Sequence, residues 1–205
     1  MTVRDVIQAV GRDHGWEEVK VEIMARRDLA ITWERWGDEI IIGISDYAES
    51  FPDEVIRGMA EKIFTHLDGE EIDWSDAVYD YVQSDSFVLK HQGTYIGRVA
   101  PRVRAYIVDD KHVGWIREVQ ADLERDGISL PPFTKIFWGT FQDNSATFRV
   151  IVIPELREDI EPLFKKAVAE SILSVDAGFG QRRIPKQQRF AAILSRYDLI
   201  GEVRL

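Results

Sequence analysis

Cysteine is missing from all 205 residues, so disulfides, thiolate metal sites and cysteine nucleophiles are excluded, and a reducing, cytoplasmic setting is expected. Long apolar runs are missing too. None approaches the roughly 18 residues that a membrane span needs, and Met1-Thr2-Val3-Arg4-Asp5 lacks the basic-then-apolar start of a signal peptide. Basic residues are outnumbered, 26 Lys and Arg against 36 Asp and Glu, for a net charge of -10. General affinity for nucleic acid is therefore not expected, because phosphates are neutralised by Lys and Arg. Histidine is scarce: His14, His66, His91 and His112 are the whole set, and no two are spaced one helical turn apart. Glycine-rich phosphate loops, a Gly-x-Ser-x-Gly elbow and nucleotide fingerprints are all absent. What remains is ordinary globular usage, 45% hydrophobic and 30% charged, in a chain long enough to bury a sizeable core.

Periodicity then lays out the elements. Thr2 with Asp5 forms a capping-box pattern ahead of Val6, Ile7 and Val10, and Gly15 ends that helix. Val19 to Met24 alternates as a half-buried strand. Leu29 to Trp33 and Glu39 to Ile44 read as a hairpin with its turn at Gly37-Asp38. Ser50-Phe51-Pro52-Asp53 reads as a helix start with Ser50 as cap, followed by the stripe Val55, Ile56, Met59, Ile63 and Leu67. Trp74 to Gln83 is helical. Phe87 to Asp109 reads as strand-like, punctuated by Gly93, Gly97 and Pro101, and Val113 to Arg125 returns to helical spacing. Pro131-Pro132 is the internal boundary, giving a division into residues 1–130 and 131–205. Beyond it come Lys135 to Phe141, a turn at Asp143-Asn144-Ser145, Thr147 to Ile153, a helix over about Glu161 to Val175 and a last helix over about Lys186 to Tyr197.

The most informative pattern is a weak repeat. Ile42, Ile44, Glu49, Ala60, Glu61 and Ile63 return without a gap as Ile151, Ile153, Glu158, Ala169, Glu170 and Ile172. Val55, Met59 and Phe64 return as Phe164, Val168 and Leu173, and Ile31-Thr32-Trp33 is matched with Ile136-Phe137-Trp138. Each copy reads as a hairpin feeding an amphipathic helix. The bland alternative is that any two amphipathic hairpin–helix units match this well.

The second copy resembles the small zincin-type metallopeptidase-like domains of the SprT and minimal-gluzincin kind. Phe137 to Leu156 resembles the family's edge hairpin, Leu163 to Leu173 its metal-binding helix, and Gly180 to Pro185 with Phe190 and Tyr197 the segment that supplies a third ligand. A zincin needs two imidazoles one helical turn apart, with a Glu between them acting as general base on metal-bound water. Here the ligand positions hold Ala169 and Leu173, or Ala60 and Phe64 in the first copy, and only Glu170 and Glu61 keep the base position. The resemblance thus implies a duplicated zincin-like protein without metal, cofactor or catalytic residue, with Glu61 and Glu170 as relics. Phe64 and Leu173 would flank a former cleft that is plugged or turned into a contact surface. Equally, both glutamates fit solvated helix positions opposite the apolar stripes.

Other clusters have plainer explanations. Lys90, His91, Arg98, Arg102, Arg104 and Lys111 with Tyr95 and Tyr106 form the mix that marks a nucleic-acid surface, yet a solvated strand face accounts for it. Gln181-Arg182-Arg183 with Lys186 and Arg189 is equally ambiguous. The acidic run Glu70, Glu71, Asp73, Asp76 and Asp80 lacks the spacing of an EF-hand loop and suits a helix start. The expectation is an α+β protein of two similar zincin-like halves, each a small antiparallel sheet packed by helices. Its expected role is non-catalytic peptide or protein binding, or scaffolding. The alternative is a hydrolase with an atypical metal site or a Glu61/Glu170 carboxylate pair. A homo-oligomer formed through exposed hairpin edges is a third possibility.

Overall fold

The structure, a computed structural model, describes residues 1–99, 110–139, 144–156, 160–176 and 191–197. The fold is α+β, and the chain divides into two compact units, Met1–Phe87 and Val88–Leu205. The sequence boundary at Pro131-Pro132 falls inside the second unit.

In the first unit, α1 (Val3–Asp13) starts on the expected capping box: Thr2 Oγ1 accepts from Asp5 N at 3.2 Å, and Asp5 accepts from Thr2 N at 2.9 Å. Gly15, at φ +81°, turns the chain, and Trp16 N closes the helix end on Gly11 O at 2.8 Å. This αL closure favours glycine. Strands β1 (Glu18–Met24), β2 (Ile31–Trp36) and β3 (Glu39–Ser45) follow. They order as β1-β3-β2, with β1 parallel and β2 antiparallel to the central β3. The hairpin turn is the expected Gly37-Asp38, with Gly37 at φ +63°.

Register decides which face is covered. Val19 pairs with Ile40 and Val21 with Ile42, all buried, and an added Cβ at Gly11 would meet Val19 at 2.6 Å. Helix α1 therefore lies on this face, beside α2 (Asp53–Leu67), which buries Val55, Ile56, Met59, Ala60, Ile63 and Phe64. Helix α2 begins after Pro52 without a side-chain cap; the Ser50 hydroxyl instead donates to Tyr47 O. Helix α3 (Asp76–Gln83) completes the unit.

Of the stretch expected to be strand-like, residues 100–109 lie outside the described residues, and residues 87–99 belong to helix α4 (Asp85–Val99), which begins at the end of the first unit and continues into the second. Its first turn is held by Ser84 Oγ, which accepts from Phe87 N at 3.1 Å. Phe87, Val88, His91, Gln92, Tyr95 and Val99 are buried at helical spacing, while Gly93 and Gly97 lie on the exposed side. The glycines mimicked strand punctuation although they only occupy a solvent face. Of the basic–aromatic mix read on a strand, Lys90, His91, Tyr95 and Arg98 lie on this helix, where Tyr95 stacks on Phe148 at 4.5 Å, and Arg102, Arg104 and Tyr106 lie outside the described residues.

In the second unit, the Gln92 side chain donates to Phe133 O and Phe148 O, each at 2.9 Å. Helix α5 (Asp110–Arg125) ends on Gly127, at φ +75°, with Ile128 N on Leu123 O. Strands β4 (Lys135–Gly139) and β5 (Val150–Pro154) come next, then α6 (Glu161–Asp176). The expected second hairpin is corrected here, because β4 and β5 run parallel, Lys135 opposite Val150 to Gly139 opposite Pro154. Among the described residues the antiparallel neighbour of β5 is a bridge at Ser145, and the chain reverses over Ala146–Arg149. Val152 N donates to the Asn144 side chain at 2.7 Å. Val150, Ile151, Val152 and Ile153 are all buried, the continuous apolar run of a strand covered on both faces. Helix α5 belongs to the same core, because Val119 and Leu123 cluster with Ile151, Ile153, Phe164, Val168 and Ile172. Of the last expected helix, residues 191–197 are described and are helical, ending in a single 3-10 turn.

Candidate functional site

Glu61 leads to an arrangement in the first unit that sequence reasoning did not foresee. Glu61, Phe64 and Asp68 follow one another along one side of α2 and its C-cap, and His14 at the C-terminus of α1 meets all three. Its Nε2 lies 2.9 Å from Glu61 Oε2 and its Nδ1 2.6 Å from Asp68 Oδ2, while the ring stacks on Phe64 at 5.7 Å. The Glu61 carboxylate, then that of Asp68, raises the His14 pKa against the opposing effect of burial. The negative end of the α1 dipole acts in the same direction. With a carboxylate on each ring nitrogen, the imidazolium donates twice and ties α1 to α2. It acts as a clamp, having no nitrogen left to accept a proton from a substrate.

The two carboxylates lie on opposite sides of the ring, so they offer no common point to a cation. Among the described residues, no group of three or more His, Cys, Asp or Glu is arranged to hold a metal ion. Zinc does not fit the motif positions either. Ala60 and Phe64 are fully buried, and Ala169 and Leu173 sit in the core of the second unit, so carbon facing a core stands where nitrogen would face a metal. Phe64 and Leu173 are packing residues whose side chains are closed to a partner. Glu170 is exposed on α6, and Glu61 and Glu170 belong to different units. The segment expected to follow, Gly180–Pro185 with Phe190, lies outside the described residues.

The second feature is the free edge of β2. Among the described residues only β3 pairs with it, and every residue from Thr32 to Trp36 is exposed. Trp33 pairs with Ile42 and Arg35 with Ile40, which puts both side chains on the helix-covered face. Trp33 meets the His66 ring at 5.8 Å and Arg35 lies over Trp16 at 5.0 Å. Ser45 N donates to Ala30 O at 2.9 Å, so the alternation of an antiparallel ladder turns the main-chain groups of Ile31, Trp33 and Arg35 away from β3. The strand pairs through six consecutive positions without a bulge or proline.

Open clefts border this edge. One, of about 580 Å³, is lined by Trp16, Glu17, Glu18, Arg35, Asp38 and Asp68, with His14 at its floor. Another, of about 380 Å³, is lined by Lys62, His66, Glu71, Ile72 and Asp73. Lys62 is committed there, donating to Ile72 O and lying over Trp74. His14 lies 47 residues from Glu61 and 54 from Asp68, a separation that no local spacing signals; an exposed hairpin edge, by contrast, is already an expectation of the sequence. Comparison with family models, curated proteins and solved structures finds no match to this chain.

Proposed function

We propose that this protein is a non-catalytic, zincin-like binding module that receives an extended peptide as an added strand on β2. The observation that carries the reading is the regular edge of β2, unpaired among the described residues, whose outward main-chain groups form a ready template for strand addition. An exposed edge without bulge or proline invites pairing, and natural proteins normally block such edges. Trp33 and Trp36, both exposed, supply apolar area on opposite faces for alternate peptide side chains.

Two similar halves, descended by duplication, are part of the same proposal. The offset that carries Ile42 onto Ile151 also carries β3 onto β5 and α2 onto α6. Val55, Met59, Ala60, Ile63 and Phe64 and their counterparts Phe164, Val168, Ala169, Ile172 and Leu173 are all buried. Each copy has its leading helix closed by a glycine at positive φ, then a strand parallel to the one that precedes the motif helix. On this view β4 corresponds to β1, and the counterpart of β2 falls on residues 140–145, of which Ser145, bridged to Val150, is described as paired with β5. The match of Ile31-Thr32-Trp33 with Ile136-Phe137-Trp138 is replaced by one of Val21 to Ile23 with Ile136 to Trp138. Carbon at every ligand position supports a binder over an enzyme.

Arg35→Pro tests the edge, since it removes an outward N–H without touching the β3 ladder. It is expected to abolish capture of extended peptides while the far-UV circular dichroism stays unchanged. Unaltered peptide binding by a folded Arg35→Pro protein would refute strand addition.

A further inference from the structure

The clefts beside β2 carry more information than the edge alone, because they select what the edge can take. We infer that the incoming strand is a basic peptide, with Lys or Arg at alternate positions, an inference that rests on the strand-addition reading above. Side chains of an added strand alternate between the two faces of the sheet, and directly opposed residues share a face. Peptide residues opposite Trp33 and Arg35 therefore point to the helix-covered side, where Trp33 meets His66 of one cleft and Arg35 lines the other. Those clefts present Glu17, Glu18, Asp38, Asp68, Glu71 and Asp73. They outnumber the cations there: Asp68 is taken by His14, and the other five face, among the described residues, only Arg35, which lies over Trp16, and Lys62, which bonds Ile72 O. Arg35 over Trp16 also shows that this wall accepts a guanidinium face.

The net charge of -10 on the chain adds a long-range field of the same sign, which draws cationic partners and speeds their encounter. The same charge disfavours the rival occupant. A second copy docked edge to edge would bring two sets of acidic clefts together, and like charges across an interface are costly. An acidic or neutral peptide would leave the carboxylates unmatched.

The test uses the full chain and labelled peptides of equal length with alternating Lys/Thr, Gln/Thr or Glu/Thr sequence, together with a peptide of the same composition as the first in which the lysines form one block. Fluorescence anisotropy is expected to rank Lys/Thr about tenfold or more tighter than Gln/Thr, with Glu/Thr weakest and the gap closing as salt screens the charges. The charge-reversed variant Glu71→Lys with Asp73→Lys is expected to narrow the preference for Lys/Thr over Gln/Thr. Equal affinity for all three alternating peptides would overturn the inference while leaving strand addition standing. Equal affinity for the blocked-lysine peptide would overturn the alternation. No binding of any peptide, or insensitivity to Arg35→Pro, would overturn both readings together. A wild-type dimer that Arg35→Pro converts to monomer would show that a second copy holds the edge, and would also overturn the inference.

Discussion

His14 shows how one side chain does different work from the residues that sequence singled out beside it. Its pKa is raised by Glu61 and Asp68, so the folded state holds the proton more tightly than the unfolded chain does. The stabilisation is complete below the unfolded pKa of about 6.5 and is lost as pH climbs through the higher folded value. The carboxylates are about two-fifths exposed, at 38% and 43%, which keeps each pair near the 0.2–1 kcal/mol (roughly) of surface ion pairs. In urea denaturation, His14→Gln is expected to cost about 1 kcal/mol near pH 6 and much less near pH 9. A difference that does not depend on pH would show that the ring contributes by packing on Phe64 alone. Gly11 is the other decisive residue. A Cβ there would lie 2.6 Å from Val19 Cγ2 and 2.9 Å from Phe64 Cζ. Gly11→Ala gains about 1 kcal/mol of helix propensity but overpacks at a cost of about 1–3 kcal/mol. The expected outcome is a lower midpoint of thermal unfolding, and a rise would mean that α1 shifts freely on the sheet.

At the scale of elements, α4 is where sequence reasoning failed most plainly. The positions Phe87, Val88, His91, Gln92, Tyr95 and Val99 carry a helical period, but two glycines and a cluster of β-formers masked it. Packing overrides that weak local preference. Gly93 has nothing within 4 Å of an added Cβ, so Gly93→Ala is expected to stabilise by about 0.5–1 kcal/mol. Chemical denaturation checks this, and a destabilised Gly93→Ala protein would contradict the exposed helical placement. Strand direction was similarly out of reach. The run Val150 to Ile153 announces a buried strand, yet whether its neighbour at 135–139 runs parallel or antiparallel depends on where the chain reverses. That reversal, Ala146–Arg149, is set by Ser145 and Arg149 bonding to their local partners. In the first unit the Gly37-Asp38 turn announces its hairpin directly, because glycine there adopts the left-handed conformation that a two-residue turn requires.

At the scale of the molecule, the absence of nitrogen at the motif positions carries a thermodynamic consequence. A structural metal would add its binding free energy to folding. With Ala60, Phe64, Ala169 and Leu173 all packed in cores, a chelator is expected to leave the unfolding temperature unchanged. Protein purified without an affinity tag is expected to carry zinc far below stoichiometry. A clear drop in unfolding temperature with chelator, reversed by added zinc, would end the non-catalytic reading. No described helix is long and apolar enough to cross a membrane, in line with the lack of long apolar runs.

The sequence by itself determined the α1 capping box, the Gly37-Asp38 turn, the apolar stripes of α2 and α6, and the lack of any two histidines one helical turn apart. These are local properties, written in neighbouring residues and in the period of burial. The tertiary structure alone decided the pairing of His14 with Glu61 and Asp68, the parallel course of β4 and β5, and the exposure of β2. Each of these depends on which distant segments meet. Hydrophobic burial brings them together without recording in the local sequence which partner will be met.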